Sequence, residues 1–137
     1  AFIMTCHNRK LKTTACLQSL FSIMSDVDVY LTDDASSDGT SEIVQSQFPS
    51  VHIIKGDGNL FWNRGMHLAW SEAIKVGYDF YVWLNDDVIL KPYFMEELFH
   101  TYSLAGKVSI VSGIIIDIED GQVIYGGTDE KKKTKSY

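Results

Sequence analysis

Two adjacent acids, Asp86 and Asp87, interrupt an apolar run, with Val82-Trp83-Leu84 leading in and Val88-Ile89-Leu90 following. A carboxylate in such surroundings is costly unless it is paired or ligating. Lys91 is the only base beside it in the chain, so the pair is the first candidate for chemistry. A second acidic pair, Asp33-Asp34, also follows an apolar run and opens the polar stretch that continues to Gly39. Clustered carboxylates are relieved by protonation or by a bound cation. Hard oxygen donors suit Mg²⁺ or Mn²⁺ rather than zinc. Because Mg²⁺ takes few protein carboxylates and completes its shell with water and phosphate, a diphosphate is the natural third party.

Other acids have a plainer use. Asp38-Gly39 reads as a turn with an N-cap and Asp57-Gly58 as a turn. Isolated histidines, His7 among them, carry little weight alone. No spacing supports a Ser-His-Asp or Cys-His arrangement. Neither the P-loop nor the dinucleotide-binding glycine pattern occurs, so phosphate must be held by something other than a glycine-rich nest.

The elements that must position these residues alternate between short apolar runs and segments of helical period, the pattern of βαβ units and a mostly parallel sheet. Strands are predicted at 2–5, 27–32, 51–55, 80–84 and 108–111, with a sixth at 122–125. Leu17, Leu20, Phe21 and Met24 mark one core-facing helix, and Met66, Ala69, Trp70, Ala73, Ile74 and Gly77 another. A short helix is expected from Thr40 to Phe48, stopped by Pro49. A last one starts at Pro92 and buries Phe94, Met95, Leu98, Phe99 and Tyr102. Ligands of open α/β sheets bind beyond the carboxyl ends of the strands, where this chain is polar after each of its first four predicted strands.

At 137 residues and 45% apolar, the chain suits one domain with a core that needs no disulfide or zinc. Cys6 and Cys16 fit neither a disulfide framework nor a four-ligand site and read as reduced thiols of a cytosolic protein. No apolar stretch is long enough for a membrane span, and nothing resembles a signal peptide. Strand-like sequence from Phe2 onward predicts that further chain precedes Ala1. Net charge is −6, with four lysines at 131–135; residues 1–130 carry 8 basic against 18 acidic side chains. So acidic a body is a poor partner for nucleic acid. The lysine run reads as a solvated tail, with contact to anionic lipid the alternative.

Three ordered segments, 3–9 (Ile-Met-Thr-Cys-His-Asn-Arg), 32–40 (Thr-Asp-Asp-Ala-Ser-Ser-Asp-Gly-Thr) and 83–88 (Trp-Leu-Asn-Asp-Asp-Val), resemble the successive signatures of family 2 glycosyltransferases of the GT-A fold. Segments 58–66 and 118–127 look like the rhamnosyltransferase-type branch. The resemblance implies a Rossmann-like GT-A sheet, truncated so that residues 1–137 are a single nucleotide-sugar-binding part of a catalytic domain. It implies that Thr5 and His7 border the base, that Asp34 contacts the pyrimidine edge, that Asp86 holds the ribose and that Asp87 ligates Mg²⁺ or Mn²⁺. Trp62 joins the nucleotide-binding set. His7 stands where the family commonly has Tyr, which implies pH-sensitive binding. Asn85 stands where the family's metal motif opens with an acid. The implied reaction is metal-dependent, inverting transfer from a UDP- or dTDP-linked sugar to a glycan or lipid-linked acceptor. Its general base lies beyond Tyr137, and the whole protein sits in the cytoplasm, at or near the inner membrane face.

Two alternatives share parts of this pattern. A receiver-type Mg²⁺-binding signalling module needs its acidic pair after the first strand, where Thr5-Cys6-His7 stands, and a lysine after the fifth, where Ser112-Gly113 stands. A sugar nucleotidyltransferase opens with a glycine-rich basic loop, and residues 5–10 contain no Gly.

Overall fold

A computed structural model describes residues 1–106 and 109–125. The chain divides into two compact units, the first spanning Ala1–Pro92 and the second beginning at Tyr93. In the first, β1 (Phe2–Cys6), α1 (Lys10–Ile23), β2 (Val29–Asp33), α2 (Thr40–Gln47), β3 (His52–Lys55), α3 (Phe61–Ala73) and β4 (Val82–Trp83) follow in order. The strands form one sheet in the order β3-β2-β1-β4, and every pairing is parallel. This is the α/β sheet flanked by helices that the sequence predicts.

β1 and β2 are buried along their whole length, as apolar strands inside a parallel sheet must be. Their alternation splits the core. On one face Ile3 and Tyr30 meet Met66, Ala69 and Ala73 of α3. On the other, Cys6 meets Thr13 of α1, and α1 packs on α2. Gly65 lets α3 settle on β1, because a Cβ there would lie 2.9 Å from Thr5 Cβ and closer still to Thr5 Oγ1.

The second unit holds α4 (Phe94–Ala105) and an antiparallel pair, β5 (Ile115–Ile116) with β6 (Val123–Tyr125). Asp120-Gly121 turns this hairpin, with Gly121 at φ 73°.

Several expectations need correction. Residues 109–111 form no strand, and Val108 lies outside the described residues, as do Gly126, Gly127 and the lysine run. Pro92 precedes α4 by two positions, because Tyr93 intervenes as its cap residue in a left-handed conformation. Gly39 rather than Asp38 immediately precedes α2; Asp38 reaches past it to accept the Thr40 N–H at 3.0 Å. Trp70 and Phe99 are exposed on their helices instead of buried, and Ile74 and Gly77 lie beyond the last residue of α3 and are exposed as well.

Candidate functional site

Parallel pairing puts the loops after β1, β2, β3 and β4 on one edge of the first unit. Strand order departs from sequence order between β1 and β4, the kind of switch point where α/β sheets bind ligands.

The first two loops are locked together. His7 Nδ1 lies 2.5 Å from the Asp34 carbonyl oxygen, which can only accept, so Nδ1 carries the proton. Nε2 is then free to accept from Asn8 Nδ2 at 3.0 Å. Asn8 Oδ1 in turn accepts the Ser37 N–H at 2.8 Å, and the Asn8 N–H donates to Ser36 Oγ at 2.9 Å. The clamp needs left-handed backbone at Asn8 (φ 51°) and Ala35 (φ 57°). Asn tolerates that conformation, whereas Ala is strained by it.

The acidic pair after β2 splits into two roles. Asp33 is an anchor: its carboxylate accepts the Ser36 N–H at 2.9 Å and the Ser41 hydroxyl, and Lys55 lies 3.5 Å away. Burial pushes the Asp33 carboxyl up, but the hydrogen bonds from Ser36 and Ser41, with Lys55, outweigh it and hold the group below 3.8. Asp34 is also buried and organises the third loop through the N–H groups of Gly58, Leu60 and Phe61, at 2.8, 2.9 and 3.1 Å. Gly56 is required beside it, since a Cβ there would come 2.9 Å from Asp34 Cα.

Asp86 and Asp87 meet a partner the neighbouring sequence does not supply. Arg9, at the end of the β1 loop, places Nη1 3.1 Å from Asp86 Oδ1 and Nη2 2.7 Å from Asp87 Oδ2. Thr13 of α1 donates to Asp86 Oδ2 at 3.1 Å. Burial pushes the Asp86 carboxyl up, opposed by Arg9 and by the Thr13 hydrogen bond. Lys91 is therefore not the base that compensates this pair. Sequence reasoning missed Arg9 because it lies 77 residues away; adjacency of β1 and β4 is the signal that finds it.

The remaining site residues are more dispersed in role. Thr5 is buried under Gly65, and its hydroxyl donates to the Thr32 carbonyl at 3.2 Å. Trp62 is exposed at the start of α3, and its indole N–H donates to Asn85 Oδ1 at 3.0 Å, tying α3 to the acidic loop. Trp62 meets Trp83 edge to face, and Trp83 meets Trp70 in the same way. An open groove of about 680 Å³, lined by Asn8 to Lys12 and Asp38, has Arg9 in its wall but neither Asp86 nor Asp87. Cys6 and Cys16 are free and buried, each thiol pushed up to about 12 by burial and nearby carboxylates, so neither suits metal binding.

Among the described residues no three acidic, His or Cys side chains gather into a metal cage. Arg9 and Thr13 engage both Asp86 oxygens, and Trp62 engages Asn85 Oδ1. Asp87, 34% exposed, is the carboxylate open enough to serve. A single carboxylate suits a hard cation that shares its shell with phosphate, so the donor set fits a metal held jointly with a diphosphate.

The family model "Glycosyl transferase family 2" matches residues 1–136. The chain belongs to glycosyl transferase family 2. Membership supports a glycosyltransferase that works with a nucleotide-sugar donor and an acceptor, and it sets aside the signalling-module and nucleotidyltransferase alternatives. No curated protein matches the chain. Among the described residues no helix of this glycosyltransferase is long and apolar enough to cross a membrane.

Proposed function

We propose that residues 1–137 are the donor-binding part of an inverting, metal-assisted family 2 glycosyltransferase that uses a UDP- or dTDP-linked sugar. The observation that carries this reading is the meeting of Arg9, Asp86 and Asp87 where the β1 and β4 loops adjoin, within a chain of this family. The base binds along the β1 and β2 loops, bordered by Thr5, His7 and Asp34, with Trp62 beside it. Asp86, braced by Thr13, holds the ribose. Asp87 holds Mg²⁺ or Mn²⁺ together with the donor diphosphate; when bound, the metal supplies Lewis-acid neutralisation of the leaving group. The protein's own residues hold the donor so that its anomeric carbon faces the acceptor, and a carboxylate beyond Tyr137 takes the acceptor proton. The acceptor is a glycan or lipid-linked glycan at the cytoplasmic membrane face, and the branch is the rhamnosyltransferase-like one.

The test is thermal stability with UDP, dTDP, GDP and ATP, each with and without Mn²⁺. Saturation near 100 times the dissociation constant stabilises a fold by about 2.7 kcal/mol, read as a melting shift of a few degrees. Stabilisation by a pyrimidine diphosphate that needs Mn²⁺ and is lost in Asp87→Asn supports the reading. A panel without any shift, or a shift unchanged in Asp87→Asn, overturns it.

A further inference from the structure

One planar guanidinium spans both acids of the β4 loop, and its two ends are unequal. The Asp86 side chain is 5% exposed and is also held by Thr13, whereas Asp87 and Arg9 are 34% and 38% exposed. Breaking the buried contact would leave an uncompensated charge, which is strongly unfavourable. A half-exposed ion pair adds little and is readily exchanged. The Arg9–Asp87 contact is therefore the labile end of the bridge.

Charge count points the same way. Arg9 offsets one of the two carboxylate charges, so the cluster holds a single residual negative charge. A divalent ion added alone at Asp87 would face a guanidinium in contact with the same carboxylate and would leave the cluster net positive. A diphosphate arriving with the ion reverses that balance, because its negative charge attracts both cations.

We propose that Arg9 is a resident cation that competes with divalent metal for Asp87, so that the site binds metal weakly by itself and well only together with a diphosphate. Arg9 thereby acts as a positioning residue that sets metal dependence. The diphosphate half of this inference rests on the donor reading above; the competition for Asp87 does not.

The experiment titrates Mn²⁺ alone into the 137-residue chain, reading free aquo-Mn²⁺ by electron paramagnetic resonance, for wild type, Arg9→Gln and Arg9→Gln/Asp87→Asn. Arg9→Gln is expected to bind Mn²⁺ about tenfold more tightly than wild type, the scale of one nearby charge at a half-exposed site. The double variant should lose that gain. Arg9→Lys keeps the charge but loses the planar fork, and its expected gain is smaller. It is read in place of Arg9→Gln if melting shows the latter to be unfolded. Equal Mn²⁺ affinity in wild type and the folded Arg9 variant overturns the proposal, as does a gain that survives loss of Asp87. UDP titrations with Mn²⁺ separate the two readings. A Mn²⁺ gain without UDP binding to wild type supports the competition while removing the donor reading. Metal-dependent UDP binding without a Mn²⁺ gain overturns the competition alone.

Discussion

The carboxylate of Asp34 accepts the backbone N–H of Gly58 at 2.8 Å, joining the end of β2 to the loop that leads into α3. Its other oxygen accepts from Leu60 and Phe61, so one side chain sets the path of the third loop. Asp34→Ala leaves three backbone donors without this partner and is expected to cost about 3 kcal/mol. Urea denaturation measures that loss. Hydrogen exchange should locate it, with faster exchange at the three N–H groups and little change in β1.

Gly65→Ala should destabilise the fold by about 1–3 kcal/mol, although Ala is normally the better helix former. The added methyl has nowhere to go but into Thr5. Thr5→Ala removes the nearest atom, Oγ1, but keeps Cβ 2.9 Å from the new methyl, so the double variant should recover only part of the loss in a thermal melt. A Gly65→Ala melt equal to or above wild type would refute this packing.

Thr32 Oγ1 is buried without a hydrogen-bond partner, the sole such side-chain atom among the described residues. Thr32→Val replaces that hydroxyl with a methyl of similar shape and is expected to stabilise by about 1 kcal/mol. The chemical-denaturation midpoint should rise, with the slope unchanged.

Asp33 gives the acid limb of the stability profile a defined sign. Its folded-state group is held below 3.8, so the ionised form contributes stability that is present above 3.8 and lost as pH falls through the lower folded value. Asp33→Asn should therefore be less stable than wild type at neutral pH, with the gap closing as pH falls below about 4. A gap constant from neutral to acid pH would show that the Asp33 charge is not what Ser36, Ser41 and Lys55 stabilise.

How far the sequence reveals this arrangement depends on the range of the forces involved. β1 and β2 are legible because every residue in them is buried, which demands an apolar run. β4 is shorter than its apolar stretch suggests, since only Val82 and Trp83 pair with β1. The strand expected at 108–111 is not found over 109–111, where an apolar run has no paired neighbour, a matter that local composition does not decide. Asp33 and Asp34 are chemically identical in the sequence, yet alternation along the chain sends one to Ser41 and Lys55 and the other to the third loop. Arg9 closes the 3–9 segment, but its partners follow from strand order, which is a tertiary property.

The chain's three tryptophans, Trp62, Trp70 and Trp83, lie in a single edge-to-face row with centroid spacings of 6.0 Å, and the row ends at the indole N–H that Asn85 accepts. The protein's ultraviolet emission therefore originates from one locus beside the acidic loop, with no indole elsewhere to dilute it. Indoles this close couple their transitions, so the near-ultraviolet circular dichroism should carry a paired signal that vanishes in Trp83→Phe. Any solute that shifts Asn85 should register in that signal and in the emission maximum, which makes the native chain its own optical reporter.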